Sequence, residues 1–473
     1  MVVAPRGLAV DILVNAVRSS EATGDHTIAL ARALAQQSAT VRIFSSAVGA
    51  LPADIQMLTR QIDAADYPGG ADLVIVQYGI WHPLAEVLRS TPTPAILWYH
   101  GVTPPQLWSN AVDRAVLQNA RQRAHLVWQA RLAVCTSAFT KTELQQLTHY
   151  PEVRMMIVPL GIDTVTFAKP LAPDHLNALR HKWQLTGKRV LLYVGRIAEH
   201  KRIDLLIAAL GHLHQDFPAL QLLIVGDIAA STATRDLHRK LHEQALQLGI
   251  AADVTFTGRV DTVTPYYQLA EIYAQPSQHE GFCVPLGEAM AAGTPVVASR
   301  SGAMPWVLNA DVDPAQAAGA LFTPGDSTDL AQQIRRLLSE PSWRATLIAR
   351  GKARVEAFTL AQFNQNVQQV IAGALTWSQQ PPPVAPYREN ALSATADVAL
   401  RDYKVQSKIP GLGRLIEWVR TNSTSHLKAG YLDRIIEQQV NYNRLLAQEI
   451  DGLHSQLEDI KQQIAKLKEH HED

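Results

Sequence analysis

Two carboxylates in one short stretch are the first residues whose spacing could do chemistry. Glu280 and Glu288 have seven residues between them in HEGFCVPLGE. A carboxylate accepts two hydrogen bonds, so it suits the neighbouring hydroxyls of a ribose or a hexose. The plainer alternatives are that Glu280 is a solvated loop acid and that Glu288 is a favourable charge near a helix N-terminus.

A helix after the first of these acids would set their positions. Pro285 is a residue type that opens helices and Gly293 one that ends them, so the pattern predicts a helix between them. Glu288 would lie in its first turn and Glu280 in the preceding loop. The backbone N–H groups near 283–286 would be free to meet an anion. Acids for hydroxyls beside a helix N-terminus for phosphate favour a nucleotide-sugar site.

Two cations precede this stretch in YVGRIAEHKRID. Arg196 and Lys201 follow an apolar strand pattern and come just before a helix that begins near Arg202. Arginine offers a planar fork and lysine a compact charge, and both suit a diphosphate beside a helix N-terminus. Taken alone, the pair could equally be solvated loop cations.

The bulk composition excludes several classes of protein. The 473 residues contain 43 Lys+Arg and 43 Asp+Glu, so no basic field indicates a nucleic-acid partner. Two distant cysteines, Cys135 and Cys283, form neither a disulfide framework nor a metal cluster and favour a reducing compartment. No apolar run is long enough for a transmembrane helix, and the N-terminus has no uninterrupted signal-peptide core. We therefore expect a cytoplasmic protein whose membrane contact, if any, is peripheral.

The elements that must position these residues form two series of buried strands alternating with helices. Apolar runs without strict alternation are typical of parallel strands covered on both faces. The sequence predicts an α/β protein with two Rossmann-like, doubly wound domains facing a cleft, at 1–168 and 169–358, and a closing helix at 359–377. Such tandem domains hold ligands at the carboxyl ends of their strands.

The C-terminal part has a different character. A proline-rich and polar linker (378–408) leads to an amphipathic basic segment (409–431), and a heptad pattern follows at 432–473. The seams over 432–467 predict a coiled coil that forms a dimer or trimer, the alternative being a lone surface helix. Six Lys/Arg against two acids within 401–428 favour contact with an anionic membrane surface. A helix packed against the rest of the protein is an equal alternative.

With these pieces in order, the chain resembles family-4 retaining glycosyltransferases of the GT-B fold. The resemblance rests on VGRIAEHKRID, FTGRV, the HEGFCVPLGEAMAAGTPVVAS block and PLGIDTVTF, and covers roughly residues 8–375. It implies donor binding by the C-terminal domain, acceptor binding mostly by the N-terminal domain, and retention of anomeric configuration without a metal or other cofactor. The donor would be a nucleotide-diphosphate sugar, and the acceptor a glycan or a lipid-linked acceptor.

The resemblance also implies roles for individual residues. Arg196 and Lys201 would hold the diphosphate, Glu288 the ribose and Glu280 the transferred sugar. Backbone groups at 281–284 would touch sugar or phosphate, and the loop around 258–259 would line the base. The donor-binding set is therefore Gly24, Gly258, Arg259, Gly281, Phe282, Cys283, Val284 and Glu288.

Two further positions come from the N-terminal half. Gly24, in the loop after the first strand, would let the backbone approach the diphosphate. His100 matches a position where the family often has a histidine near the donor sugar, so we expect it in the catalytic set with Arg196, Lys201 and Glu280. The alternative for His100 is a strand-end histidine bonded to backbone.

The chain departs from the family pattern at several places. Trp306 stands where an acid is frequent, Cys283 replaces a frequent glycine, and the first loop has one glycine where many members have two. These departures affect donor and acceptor detail. The predicted function is transfer of a hexose-type sugar in surface polysaccharide or glycolipid synthesis. The alternative is a catalytically silent scaffold subunit of a glycan-assembly complex. A nicotinamide-dependent enzyme has no support, because the sequence has no G-x-G-x-x-G motif after the first strand of either domain.

Overall fold

The first domain is built on a parallel sheet of seven strands. A computed structural model describes residues 7–19 and 21–378. The sheet order is β3-β2-β1-β4-β5-β6-β7, and each paired strand is parallel to its neighbour. Its strands are β1 (Ala9–Val17), β2 (Thr40–Val48), β3 (Thr59–Gln61), β4 (Leu73–Tyr78), β5 (Ala95–Tyr99), β6 (Leu132–Cys135) and β7 (Met155–Ile157).

The second domain is built on a parallel sheet of six strands. Its order is β10-β9-β8-β11-β12-β13. Most residues of its central strands are buried, as the apolar runs predict, because helices cover both faces. The strands are β8 (Arg189–Val194), β9 (Leu220–Val225), β10 (Val254–Gly258), β11 (Ile272–Gln275), β12 (Val296–Ser299) and β13 (Ala320–Phe322).

Helices connect the strands in both domains. Those of the first half are α1 (Ala22–Gln36), α2 (Ala53–Gln56), α3 (Val87–Ser90), α4 (Ala111–Arg123), α5 (Ala138–Thr148) and α6 (Thr164–Ala168). Those of the second half are α7 (Pro173–Lys182), α8 (Ile203–Leu213), α9 (Thr232–Gln247), α10 (Thr264–Leu269), α11 (Val284–Ala292), α12 (Met304–Val307), α13 (Ser327–Ser339), α14 (Pro341–Val355) and α15 (Leu360–Ser378). The predicted fold class, two doubly wound parallel sheets, is confirmed.

Each sheet has a point where its strand order reverses. In the first sheet the chain leaves β1 toward β2 on one side and returns at β4 on the other. In the second sheet β8 is followed by β9 on one side, and β11 lies on the other. Ligands in open α/β sheets bind outside the carboxyl ends of the strands at this switch point. The loops after β8 and β11 are therefore the first places to look for a site.

The chain passes between the two sheets twice, and the two passages lie side by side. The Ile162 N–H donates to the Phe358 carbonyl at 2.7 Å, and Ile162 pairs with Thr359 as a parallel bridge. After the second passage, α15 packs on the first sheet through buried residues such as Phe363 and Ile371. The last described helix therefore completes the core of the first domain.

Two expectations about local structure differ from what is observed. Strand β3 is not predicted from the sequence, because TRQ carries no apolar pattern and the strand is an edge of three residues. The sequence pattern after the first strand predicts a helix from about Asp25, whereas α1 begins three residues earlier, at Ala22. The predicted linker, basic segment and coiled coil lie outside the described residues. Among the helices of the described part, none is long and apolar enough to cross a membrane.

Candidate donor site

A buried ion pair joins the two loops at the switch point of the second sheet. Lys201 ends a 3-10 turn (Glu199–Lys201) after β8, and Glu280 lies in the loop after β11. The Lys201 Nζ is 2.6 Å from Glu280 Oε1. Their side chains are only 13% and 11% exposed, so the pair is largely removed from water. The structure thus brings together a predicted phosphate-binding cation and a predicted sugar-binding acid.

The Glu280 carboxylate is held in its charged form. Its Oε1 also accepts hydrogen bonds from Gln275 Nε2 at 2.9 Å and Ser277 Oγ at 2.7 Å. Burial opposes ionisation, but the Lys201 charge and these donors outweigh it and lower the pKa of Glu280 to about 2. Glu280 is therefore a fixed hydrogen-bond acceptor at neutral pH and not a proton donor.

Arg196 lies on the exposed side of the same loop. It comes two residues after β8 ends, and its carbonyl accepts a hydrogen bond from Tyr193 Oη at 2.9 Å. Its side chain is exposed and, within the described part of the chain, its guanidinium makes no ion pair or hydrogen bond. A fixed backbone with an uncommitted guanidinium suits the bidentate capture of a phosphate.

Glu288 has a different environment from Glu280. It accepts a hydrogen bond from Tyr267 Oη at 2.6 Å. Burial is the main influence, and it raises the pKa of Glu288 to about 7. The carboxyl therefore changes its charge near neutral pH. The Tyr267 hydroxyl is a donor to this acid that the sequence analysis did not identify.

The predicted helix is present, but two details differ. Helix α11 runs from Val284 to Ala292, and Gly293 is its C-terminal cap. Glu288 is the fifth residue of the helix and therefore lies in its second turn. The Leu286 N–H is also committed, because it donates to the Cys283 carbonyl at 3.1 Å. Pro285 has no N–H, so the groups at this end that could meet an anion are those of residues 283 and 284.

Residue 283 has a backbone conformation that explains why glycine is frequent there. Cys283 has φ 77° and ψ 69°, in the left-handed region, and it is buried at the start of α11. A residue with a Cβ is strained in this conformation by about 1 kcal/mol or more. Phe282 points the other way, into the core, where its ring lies 5.2 Å from that of Phe358. Only the backbone of Phe282 can therefore face a ligand.

Gly281 lets the loop pass close to the first domain. A Cβ on it would lie 1.8 Å from the His100 carbonyl oxygen. Its own carbonyl accepts hydrogen bonds from Ser137 Oγ at 2.7 Å and Thr136 Oγ1 at 3.2 Å. Any side chain at this position would push the two halves of the protein apart.

His100 follows β5 and faces a small buried cluster. Its Nε2 lies 2.5 Å from Gln77 Oε1, and because an amide oxygen only accepts, Nε2 carries the proton. Burial lowers the pKa of His100 to about 4, so the ring is neutral with Nδ1 as its acceptor. His26 packs edge-on against it at 4.9 Å. The alternative reading, a bond from this ring to backbone, does not hold among the described contacts.

The expected role of Gly24 needs correction. Gly24 does not lie in a loop that could approach a ligand, because it falls inside the first turn of α1 and is buried. A Cβ there would lie 2.0 Å from the Arg18 carbonyl oxygen. The glycine is required for close packing of the strand end against the helix.

The loop expected to line the base borders a surface cavity. Gly258 ends β10 with φ +71°, and the exposed Arg259 follows. A cavity of about 270 Å³ beside this loop is lined by Arg259, Trp183 and Tyr266 among others. Arg196, Lys201, Glu280 and Glu288 do not line this cavity. Only Arg259 links it to the predicted site.

The second half of the chain thus presents two carboxyl groups, Glu280 and Glu288, that can accept hydrogen bonds from hydroxyls. It also presents the exposed Arg196 guanidinium, unpaired among the described residues, and a short turn whose N–H groups can meet an anion. The described residues contain no group of three or more His, Cys, Asp or Glu placed to hold a metal ion. The sequence carries no clear indication of the partners that fix the two acids and His100: Gln275 and Ser277 at Glu280, Tyr267 at Glu288, and Gln77 at His100. Ser277 alone had a signal, since a serine three residues before an acid in a loop is a common local hydrogen-bond donor.

Two family models match consecutive parts of the chain. The model of Glycosyltransferase Family 4 matches residues 6–166, and that of Glycosyl transferases group 1 matches residues 177–354. These ranges correspond to the first and second sheets. The break between them falls at the first passage between the domains.

Curated relatives with similar sequences are glycosyltransferases. The D-inositol 3-phosphate glycosyltransferase of Geodermatophilus obscurus is 30% identical over 320 residues, which are 64% of this chain and 67% of the relative. The O-antigen chain mannosyltransferase B of Escherichia coli is 28% identical over 232 residues, 49% of this chain and 57% of the relative. A Xylanimonas cellulosilytica D-inositol 3-phosphate glycosyltransferase is 31% identical, with 48% of its length matched. The chain spans about half the length of several such relatives.

Solved structures share the fold. Sucrose-phosphate synthase from Thermosynechococcus elongatus superposes with a TM-score of 0.64 at 20% identity, covering 78% of this chain and 99% of that protein. Anabaena HepE in complex with UDP and glucose also gives 0.64, at 19% identity, with coverage of 77% and 99%. At these identities the likeness concerns the two-domain GT-B architecture alone.

Proposed function

The chain belongs to glycosyltransferase family 4, and from that premise we propose that it transfers a hexose-type sugar from a nucleotide-diphosphate donor with retention of configuration. The acceptor in this proposal is a glycan or a lipid-linked acceptor in the synthesis of a bacterial surface polysaccharide or glycolipid. The donor binds to the second domain and the acceptor to the first, across the cleft between the two sheets.

One observation carries the proposal: the Lys201–Glu280 pair spans the switch point of the second sheet. In this pair, Lys201 offers a positive charge to a diphosphate, and Glu280 beside it offers a hydrogen-bond acceptor to sugar hydroxyls. Lysine has three N–H donors, so the ammonium can bind phosphate oxygen while it keeps its bond to Glu280. A decayed scaffold subunit would have no need to preserve this pair together with Arg196 and Glu288.

The other residues have roles that follow from their environments. Arg196 and Lys201 neutralise charge that develops on the leaving diphosphate, which is where such groups accelerate a reaction. Glu288 accepts the ribose hydroxyls, and the backbone from 281 to 284 faces sugar and phosphate. Neutral His100 accepts a hydrogen bond from the transferred sugar through Nδ1. Gly258 and Arg259 border the base.

We propose no carboxylate as general base or nucleophile. Glu280 has its pKa lowered to about 2 and is bonded to three side-chain donors, which makes it a poor proton acceptor. The double displacement used by retaining glycosidases needs two carboxylates flanking the bond. Front-face displacement fits better, with an oxygen of the leaving diphosphate taking the proton of the acceptor hydroxyl and no metal required.

Two proposals concern the part of the chain beyond residue 378. The segment 401–428 binds an anionic membrane surface, which would bring a lipid-linked acceptor to the first domain, and 432–467 joins copies of the chain. Flotation with vesicles of phosphatidylglycerol should carry the full chain but not one cut after Trp377. Equal recovery of both in the soluble fraction would contradict membrane binding, and an unchanged solution mass without 432–473 would contradict the oligomer.

The experiment for the reaction uses a panel of nucleotide sugars. Binding of the right donor raises the melting temperature of the full chain, because a ligand that binds only the native state stabilises it. With that donor, Arg196→Ala should lower turnover by a factor of about a hundred or more. Glu288→Ala should weaken binding of the nucleoside diphosphate. Near-normal values for both variants would overturn the site.

A further inference from the structure

A contact between the two halves of the protein lies directly beside Glu280. His279, the residue before it, is 6% exposed, and its Nε2 lies 3.3 Å from Glu143 Oε1. Glu143 belongs to α5 of the first domain, 136 positions away in sequence. The loop that carries the sugar-binding acid is therefore attached to the opposite domain by its neighbouring residue.

Glu143 is the centre of a buried hydrogen-bond network. It accepts from Arg121 Nη1 at 2.8 Å, from Tyr99 Oη at 2.8 Å and from the Val102 N–H at 3.3 Å. Burial opposes ionisation, but bonds from His279 and Arg121 outweigh it and lower the pKa of Glu143. The carboxylate is thus charged and rigid, since four groups from different elements fix both of its oxygens.

The start of α5 adds a second attachment for the same loop. Ser137 caps α5 and also donates its hydroxyl to the Gly281 carbonyl at 2.7 Å. Phe139 packs edge-on against the His279 ring at 5.5 Å. His279 and Gly281 flank Glu280, so the first domain holds the residues on both sides of it. Charged Glu143 is the strongest of these contacts, because hydrogen bonds to ionised groups exceed neutral ones.

We propose that Glu143 is a positioning residue of the donor site: it receives the His279 ring N–H across the cleft and thereby fixes the loop 278–283 that presents Glu280 to the sugar. The inference rests on the proposed function. It adds that the sugar subsite of the second domain is complete only when the first domain is closed on it. At the nucleotide part of the site, the hydrogen bond described for Glu288 comes from Tyr267 of its own domain.

The test separates sugar binding from nucleotide binding. Affinities for UDP-glucose and GDP-mannose, and for UDP and GDP, are measured by calorimetry on the full chain. Glu143→Ala should lower the affinity for whichever nucleotide sugar the parent chain binds by about tenfold, which is the scale of a charge-assisted hydrogen bond. It should change the affinity for the free nucleoside diphosphate much less, because that ligand does not reach Glu280.

Glu86→Ala is the matched control. Glu86 is also an acid of the first domain with arginine partners, Arg123 Nη1 at 2.6 Å and Arg89 Nε at 2.8 Å, and its described contacts stay within that domain. Its variant should lower the melting temperature without separating the two affinities. If Glu143→Ala fails to fold, Ser137→Ala, which removes the bond to Gly281, should show the same separation.

A double-mutant cycle decides whether Glu143 acts through His279. Residues in direct contact give non-additive effects, whereas independent ones add. Glu143→Ala with His279→Leu should lose no more affinity for the nucleotide sugar than the worse single variant. Additive losses, or a Glu143→Ala profile equal to that of Glu86→Ala, would overturn the inference alone. A parent chain that binds no nucleoside diphosphate would overturn the proposed function and the inference together.

Discussion

The two acids of the donor segment have the same chemistry and opposite environments. On the loop side, Glu280 has a cation and two neutral donors, and its pKa is lowered to about 2. On the helix side, Glu288 has a tyrosine hydroxyl, and burial raises its pKa to about 7. Eight positions apart in sequence, one carboxylate is charged at neutral pH and the other titrates there. The difference shows that partners, more than burial alone, decide the charge of a buried acid.

This difference gives the two acids opposite effects on stability. Glu280 has a folded pKa below its ordinary value of 4.5, so its contribution is present above that pH and is lost as the pH falls toward 2. Glu288 has a folded pKa above 4.5, so the folded chain keeps a proton that the unfolded chain releases. Its effect is to lower stability as the pH rises from 4.5 to about 7.

The largest expected effect comes from breaking the pair on the loop side. Lys201→Met leaves a charged Glu280 buried without its counterion, which should lower the free energy of unfolding by about 3 kcal/mol or more. Turnover should fall by a factor of about a hundred to a thousand. Chemical denaturation at pH 7 and a donor-turnover assay measure the two losses.

A second substitution in the same chain separates the two losses. Adding Glu280→Gln to Lys201→Met removes the stranded charge, so stability should recover while turnover stays low. A double variant as unstable as Lys201→Met would show that the pair does not explain the low pKa of Glu280.

The next largest effect concerns Glu288 and is measured as the pH dependence of the free energy of unfolding. Glu288→Gln removes the titrating group, so its free energy of unfolding should lack the decrease that the parent shows between pH 4.5 and about 7. The difference between the two curves should amount to about 3 kcal/mol. Other titrating groups cancel because they are common to both chains. Parallel curves for the two chains would mean that Glu288 is ionised throughout this range.

The smallest effect tests the hydrogen bond that Tyr267 donates to Glu288. Tyr267→Phe removes the hydroxyl that donates to the carboxylate, which should cost about 1 kcal/mol of stability at pH 8, where the carboxylate is charged. It should also shift the Glu288 transition to higher pH, because the bond favours the charged form. The same pH series as for Glu288→Gln measures the shift. A transition that moves to lower pH would assign the raised pKa to another cause.

Much of the fold could be predicted because it depends on local patterns. Apolar runs marked every strand except β3, whose three residues are polar and pair at a sheet edge. The helix between Pro285 and Gly293 was also predictable, since both residues are local signals. Gly24 was assigned to a loop because the neighbouring sequence does not distinguish a loop glycine from a helical one. The structure shows a helical glycine, required by the nearby Arg18 carbonyl.

The partners of the site residues could not be predicted, for a physical reason. Gln77 lies 23 residues from His100, Lys201 lies 79 from Glu280, and Glu143 lies 136 from His279. Contacts at such separations exist only after the sheets form. In sequence, Glu143 in TKTEL is indistinguishable from a charge on a solvated helix face. The acids and cations of the site could be proposed from residue type and spacing. Their pKa values could not, because these depend on burial and on partners that only the packed structure provides.

The side-by-side passages at Ile162 and Thr359 give the two domains a pivot. The two adjacent segments, bonded to each other, are a place about which the sheets could rotate relative to one another. Displacement in a rotation grows with distance from the axis. Gly287 of α11 packs against Ile162, where a Cβ would lie 2.9 Å from that side chain, so the helix bearing Glu288 lies at the axis itself. Under the proposed function, opening would leave Glu288, the proposed ribose acceptor, almost stationary, and a departing nucleotide would lose its sugar-side contacts first.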